Sequence, residues 1–358
     1  MGPDSNQRLT DRQGRLRPWP LSPFAAVVIA AAVVAGTPAK ALELALPVDC
    51  TPGETCWVIQ YADLDPGPGR LDYMCGWLSY DDAIGTDIAV ADLDAMNQGV
   101  AVLAAAAGTV IGTRHDMDDV NVHQIGKDAL KGKDCGNGVN IDHGDGWTTQ
   151  YCHLRRNSVA VRQGDTVAAG QRLGLVGLSG NTEFPHLEIT VRHHDTVVDP
   201  FAGTDRTERC GVGAAPLWRD DALEQLAYRS VLLNNAGFAS SIPTLEAVRA
   251  GLYDAKEVSP HAAALVFWVD VYWPRPGDRI RFRILAPDGQ TLMERETTVD
   301  ATRPRDMFYA GVRYRGAPWP RGRYQGEVTL VRDDGPIGSE TYTRSDTIDV
   351  RPPDTESR

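Results

Sequence analysis

Apolar and polar residues alternate with a period of two over many short stretches of this chain, and follow a helical period over only one region. The sharpest alternation is Phe184-Pro185-His186-Leu187-Glu188-Ile189-Thr190-Val191-Arg192. Leu187, Ile189 and Val191 fall on one face and His186, Glu188, Thr190 and Arg192 on the other, which reads as a half-buried strand. Upstream, Val100 to Leu103, Thr109 to Ile111, Val139 to Ile141, Thr148 to Tyr151, Ser158 to Val161 and Arg172 to Val176 are further short strands punctuated by glycine. Arg114 to Asp134 interrupts them as a charged insertion, expected to be a surface loop. An imidazole and a carboxylate two residues apart on one strand face can reach the same metal ion or water, so His186 and Glu188 are the first candidates for chemistry.

From about 219 to 253, Leu223, Leu226, Ala227, Val231, Leu245, Val248 and Leu252 recur at helical spacing, predicting a helical linker over 206–255. Alternation returns in Ala264 to Tyr272, Arg279 to Leu285 and Tyr324 to Val331, split by Pro287-Asp288-Gly289 and Asp333-Asp334-Gly335. Strands at that spacing predict an immunoglobulin-like β-sandwich over 256–351, followed by a polar tail, 352–358. The fold class is therefore mainly β: one β-sheet domain over 80–205, a short helical linker, and a C-terminal sandwich.

The N-terminal stretch changes the expected location. Arg8, Arg12, Arg15 and Arg17 precede an apolar run from Phe24 to Ala35, and Ala39-Lys40-Ala41 offers a small-x-small cleavage site. The run is shorter than the roughly 20 residues that span a bilayer, so residues 1–41 are expected to be an export signal, leading to the periplasm or the exterior. A Cys-, Gly- and Pro-rich lead-in over 42–79 follows. The net charge is −12, from 36 basic and 48 acidic residues; removing 1–41, with five basic and two acidic, leaves 31 and 46, or −15. So acidic a chain argues against nucleic acid and against an anionic membrane surface as partners. Any ligand has to be met in a local cleft.

All six cysteines (Cys50, Cys56, Cys75, Cys135, Cys152, Cys210) follow the expected cleavage site. An even count in an exported chain favours disulfides, of which one pairing follows from the pattern. Gly138 to His143 and Trp147 to His153 read as a hairpin around Gly144-Asp145-Gly146, which brings Cys135 close to Cys152.

Several blocks then occur in a telling order: Gly85-Thr86-Asp87-Ile88-Ala89; Val102 to Val110; Gly136 to Leu154, ending in Tyr151-Cys152-His153-Leu154; Gln163 to Gly174; Gly177 to Thr182; and the His186 strand. Together they resemble the LytM/lysostaphin-type zinc peptidases of family M23, over roughly residues 80 to 202. Biotinyl and lipoyl carriers share the Gly-Asp-x-Val-x-x-Gly hairpin, but no lysine stands where their attachment site requires one. The resemblance implies a cell-wall peptidase fold acting on peptidoglycan peptides, with zinc held by a histidine, an aspartate four residues later, and the second histidine of a His-x-His strand. Asp87 matches the ligand aspartate, His186 the first histidine of the pair, and His153 the Tyr-x-His-Leu histidine, the last two flanking the attacked bond as catalytic residues.

Two positions depart from that pattern. Ala83 stands where the first ligand histidine belongs, and Glu188 replaces the last ligand. Asp87 and Glu188 supply two hard oxygens, a set that suits magnesium, calcium or manganese better than zinc. Zinc is thus the cofactor by family, with another divalent ion or no metal as the alternatives. Asp81 or Asp82 beside Ala83, or His115 or His123 from the insertion, are the side chains placed to replace the missing donor. Asp116, Asp118 and Asp119 match no calcium loop, and His143 at the hairpin turn reads as structural. The leading expectation is an exported M23-type protein with lost or reduced zinc-dependent endopeptidase activity. It would bind cell-wall peptides or regulate another cell-wall hydrolase. The alternative is an active M23 metalloendopeptidase working through an altered metal site.

Overall fold

The computed structural model describes residues 42–204 and 210–352; the expected export signal and most of the expected polar tail lie outside them. The first half of the described chain is built on strands β1 (Cys56–Gln60), β2 (Thr86–Val90), β3 (Ala101–Leu103), β4 (Gly108–Arg114), β5 (Asn137–Gly144), β6 (Trp147–Leu154), β7 (Thr166–Val167), β8 (Arg172–Leu175), β9 (His186–His193) and β10 (Thr196–Val197). Seven of these form one sheet in the order β1-β2-β9-β6-β5-β4-β7, with β10 added to β9 and β3 paired separately with β8. All the pairings in the large sheet are antiparallel. β9 lies between β2 and β6, so its neighbours on both sides are fixed.

The alternation in β9 behaves as expected on one face and not on the other. Leu187, Ile189 and Val191 are buried in the core with Ile88, Tyr151 and Ile141. His186 and Thr190, on the polar face, are buried as well, and Glu188 is half-buried. A central strand has both faces covered, and polar side chains there must find partners within the protein.

The sheet also begins earlier than the sequence suggests. β1 comes from the Cys-rich lead-in and pairs with β2 through Cys56↔Val90 and Val58↔Ile88, so the lead-in is part of the same layer. Ser158 to Val161 forms no strand. Ala160 makes one backbone bond to Leu173 and Gly164 one to Val110, without a continuous ladder.

The Cys135–Cys152 disulfide is present, closing the β5–β6 hairpin with 4.7 Å between Cα atoms. Two more bonds join Cys50 to Cys56 and Cys75 to Cys210, the latter across 135 positions.

The second half comprises β11 (Leu232–Ala239), β12 (Glu257–Val258), β13 (Ala264–Tyr272), β14 (Arg279–Leu285), β15 (Thr291–Thr298), β16 (Arg305–Arg313), β17 (Gly322–Gly335) and β18 (Gly338–Val350). They form a three-stranded sheet, β11-β13-β16, and a five-stranded one, β12-β18-β17-β14-β15. The two sheets share one core containing Leu265, Phe267, Val269, Phe282, Val328 and Leu330.

β11 corrects the expectation of a helical linker over 206–255. Among the described residues only Asp220–Gln225 and Leu245–Arg249 are helical there. Between them, Val231 and Leu233 enter the sandwich core while Leu232 packs with Trp57 and Tyr272. That is a strand's period, broken in the sequence by Asn234-Asn235 and in the structure by a register shift at the same place.

The two halves are held together. Trp273 donates its indole N–H to the Ile59 carbonyl at 2.7 Å, Asn234 donates to Ala91 O at 3.0 Å, and Arg344 lies over the Trp57 ring at 5.0 Å. Within the second half, Arg332 is a buried anchor. It is paired with Asp278 and also donates to the carbonyls of Ser230 and Trp273. Replacing Arg332 by Met leaves the Asp278 carboxylate buried without its charge partner. The expected outcome is a loss of about 3–5 kcal/mol of stability, seen as a lower urea midpoint.

Candidate functional site

β2, β9 and the end of β6 bring four ionisable side chains to one place. Asp87 and Glu188 are directly opposite each other in the β2–β9 ladder, and Cys152, the residue before His153, is opposite Glu188 in the β6–β9 ladder. His186 opens β9 opposite Ala89. The four residues chosen from the sequence are therefore neighbours by register.

Each imidazole is oriented from behind by a backbone carbonyl. His153 Nδ1 is 2.8 Å from Ser179 O, and His186 Nδ1 is 2.9 Å from Phe184 O. A carbonyl only accepts, so both Nδ1 atoms carry a proton; both Nε2 atoms point at carboxylates, and the bond from His153 Nε2 to a Glu188 carboxylate needs a second proton on that ring. His153 Nε2 is 3.2 Å from Glu188 Oε2, while His186 Nε2 is 3.6 Å from Asp87 Oδ2, too far for a hydrogen bond. The two rings are 4.6 Å apart. Thr190 Oγ1 donates to Glu188 Oε1 at 3.3 Å, so both oxygens of Glu188 have partners.

The backbone at His153 is also unusual. Its φ is 63°, in the left-handed region that non-glycine residues rarely adopt. Its N–H is held by Cys135 O, and the preceding Cys152 by the disulfide. Local strain of this kind persists where the surroundings fix it, and it marks constrained sites.

The electrostatics follow from burial. Burial pushes the Asp87 carboxyl well above the ordinary carboxylate range, and the charge of Glu188 adds to it. For Glu188, burial works in the same direction, but the hydrogen bond and charge of His153, with His186 and Thr190, outweigh it and hold the carboxyl below its usual value. His186 is pushed down to about 3 by burial and by His153. The cluster is thus a Glu188 carboxylate facing His153, beside a neutral His186 facing an Asp87 carboxyl that burial shifts upward.

A family zinc ion would need three donors aimed at one point with a fourth position open. These residues do not fit that requirement. Ala83 presents a methyl group, 3% exposed. Glu188 is folded back against β2, where a Cβ on Gly85 would meet its Cγ at 2.6 Å. Among the described residues no group of three or more His, Cys, Asp or Glu side chains converges in a metal-holding arrangement.

The residues placed to replace the missing donor do not do so. His123 pairs with Glu183 at 2.9 Å on the surface, and His115, Asp81 and Asp82 are exposed. Asp118 is paired with Arg156, and Asp119 accepts from the N–H groups of Arg156 and Leu178, so these acids anchor the insertion instead. His143 is a structural residue, bonded to Ala107 O and Thr149 Oγ1 at 2.8 Å each.

Four supporting residues carried no role in the sequence reading. Ser179 and Phe184 act through their carbonyls, which leave no trace in side-chain chemistry. Thr190 was legible, being two positions beyond Glu188 on the same strand face. Tyr80 stands at the rim, and burial together with the charges of Asp87 and Glu188 pushes its hydroxyl up.

Residues 85–200 match the family model described as Peptidase family M23. The chain is 42% identical over 70 residues to the cell division protein DipM of Caulobacter vibrioides, covering 20% of this chain and 11% of that one. It is 40% identical over 63 residues to the peptidoglycan DD-endopeptidase ShyA of Vibrio cholerae, covering 18% and 13%. The chain thus spans about a tenth of the length of these relatives. A zinc-containing peptidase from Vibrio cholerae aligns in structure at 24% identity and a TM-score of 0.26, covering 40% of this chain and 39% of that one. Over residues 85–200, this chain is similar to peptidase family M23.

Proposed function

We propose that this is an exported M23-type protein directed at peptidoglycan peptides, which binds them or regulates another cell-wall hydrolase without zinc-dependent hydrolysis of its own. In this reading residues 1–41 are the export signal, and an immunoglobulin-like sandwich, extended back to β11, supports the M23 domain. Asp87 and Glu188, at the positions of family ligands, and His153 and His186, at those of catalytic histidines, serve as the polar floor of a peptide-binding cleft. The three disulfides and the absence of a membrane-spanning helix among the described residues agree with such a setting.

The observation that carries the reading is the way the four side chains are spent on one another beside a buried Ala83. Hydrolysing an amide calls for a water activated by a metal or a well-matched base. Glu188 is held by His153 and Thr190, and burial makes the His186 Nε2, 3.6 Å from Asp87, a weak base. Neither pair offers a well-matched base next to an electrophilic centre.

Zinc measured in the purified mature chain should be well below one ion per molecule, and the chain should release no muropeptides from isolated cell walls while still sedimenting with them. Near-unit zinc with chelator-sensitive release would overturn the proposal in favour of the active enzyme with an altered site. In that case Glu188→Ala should abolish release.

Thermal unfolding separates the two roles of the cluster. Chelator should leave the melting temperature unchanged. Glu188→Ala should destabilise the chain by about 1–3 kcal/mol, because His153 Nε2 loses its buried partner.

Restoring the ligands is the complementary test. The double variant Ala83→His with Glu188→His should raise zinc occupancy towards one per chain. If it does not, the scaffold has changed beyond its ligands.

A further inference from the structure

A second feature lies away from the four ionisable residues. Between the segment 70–78 and the C-terminal sheets is a cavity of about 220 Å³, lined among others by Arg70, Trp77, Tyr228, Trp273, Arg275 and Arg332. In a chain with a net charge of −12, a cleft with three arginines and one acid, Asp334, runs against the overall field.

The three arginines are not equally available. Arg332 is spent on Asp278, Ser230 and Trp273, and Arg275 is paired with Asp334. Arg70 lies over the Trp273 ring at 5.4 Å and makes a single long bond, 3.4 Å, to Ser79 O. Most of its five donors therefore remain for a ligand. A guanidinium held over an indole with most of its donors free can bind a carboxylate in bidentate fashion.

Trp77, in the cavity wall, begins a run of exposed large side chains. Trp77 is 56% exposed, Tyr80 50% and Ile84 39%. They sit on a rigid segment. Asp72 accepts the N–H groups of Met74, Gly76 and Leu78, Ser79 bonds to Tyr61 O, and Cys75 is bonded to Cys210. Gly76 is required there, since a Cβ would lie 2.1 Å from Tyr228 Oη. Large side chains held exposed on a fixed backbone are characteristic of binding surfaces. Along the chain the segment leads from the cavity wall at Trp77 and Leu78 to Ala83 and β2.

We propose that this cleft captures the carboxylate end of a peptide, with Arg70 on the carboxylate, Trp77 and Trp273 on the terminal side chain, and the rest of the peptide laid along Tyr80 and Ile84. The volume is below the roughly 300–1,000 Å³ of small-molecule sites, which suits a chain end. The ligand's origin in the cell wall rests on the function proposed above; the site itself does not.

The test uses the full mature chain and N-acetyl tetra-alanine, in L and D forms, each with a free or an amidated C-terminus, followed by calorimetry. The free acid of at least one form should bind at least about tenfold more tightly than its amide. Arg70→Ala and Trp77→Ala should each remove that preference without changing the melting temperature, and Arg70→Lys should recover part of it. Equal binding of acid and amide, no binding of either up to about 1 mM, or an unaltered preference in Arg70→Ala would overturn the proposal. Cell-wall sedimentation distinguishes the two readings. Acid-selective binding by a chain that ignores cell walls would sink the cell-wall function and leave this site standing. Equal binding of acid and amide by a chain that sediments with cell walls would sink this site alone.

Discussion

Two carboxylates and two imidazoles buried on one face of a sheet cannot be left unpaired, and this constraint shapes the first half of the molecule. The register of β2, β9 and β6 makes them neighbours, so their charges have to be balanced locally. A divalent cation between them is one solution. Here the side chains provide another, in which Glu188 takes His153 and Asp87 faces a neutral His186. The left-handed backbone at His153 and the carbonyls of Ser179 and Phe184 follow from holding those imidazoles in position.

The same constraint explains what could be read in advance. Register and pattern belong to the local sequence, so the alternation in β9, the hairpin ending at His153 and the Cys135–Cys152 bond were all legible. The grouping of Asp87, His153, His186 and Glu188 was implied by the family resemblance, and the register of β2, β9 and β6 makes them neighbours. Features that depend on tertiary contact were not. β11 was hidden because Asn234 and Asn235 interrupt its alternation, and both asparagines reach across to the first half of the chain. β1 was hidden in a segment whose cysteines and glycines suggested irregular structure. The insertion at 114–134 was expected to be a surface loop, and its side chains fasten it down: His123 to Glu183 and Asp119 to the N–H groups of Arg156 and Leu178.

The C-terminal sandwich is more than an appendage. Tyr272 and Phe184 are in contact, with ring centroids 5.5 Å apart, and Phe184 is also packed against His186. Arg305, paired with the buried Asp270, lies over Tyr272 at 4.8 Å. A charged anchor in one half thus backs the residue whose carbonyl orients an imidazole in the other. The core formed by Trp57, Ile59, Ala89, Leu232 and Tyr272 draws on both halves, so neither half buries its own surface completely.

The Cys75–Cys210 bond has a consequence for how the chain matures. The 135 positions it spans include every strand of the large sheet except β1. Bringing such distant residues together in an unfolded chain is entropically costly, whereas the completed sheet delivers them side by side. This bond therefore joins residues that the folded sheet has already brought together. The six-position and seventeen-position loops at Cys50–Cys56 and Cys135–Cys152 place no such demand, since each can close as soon as its own turn has formed.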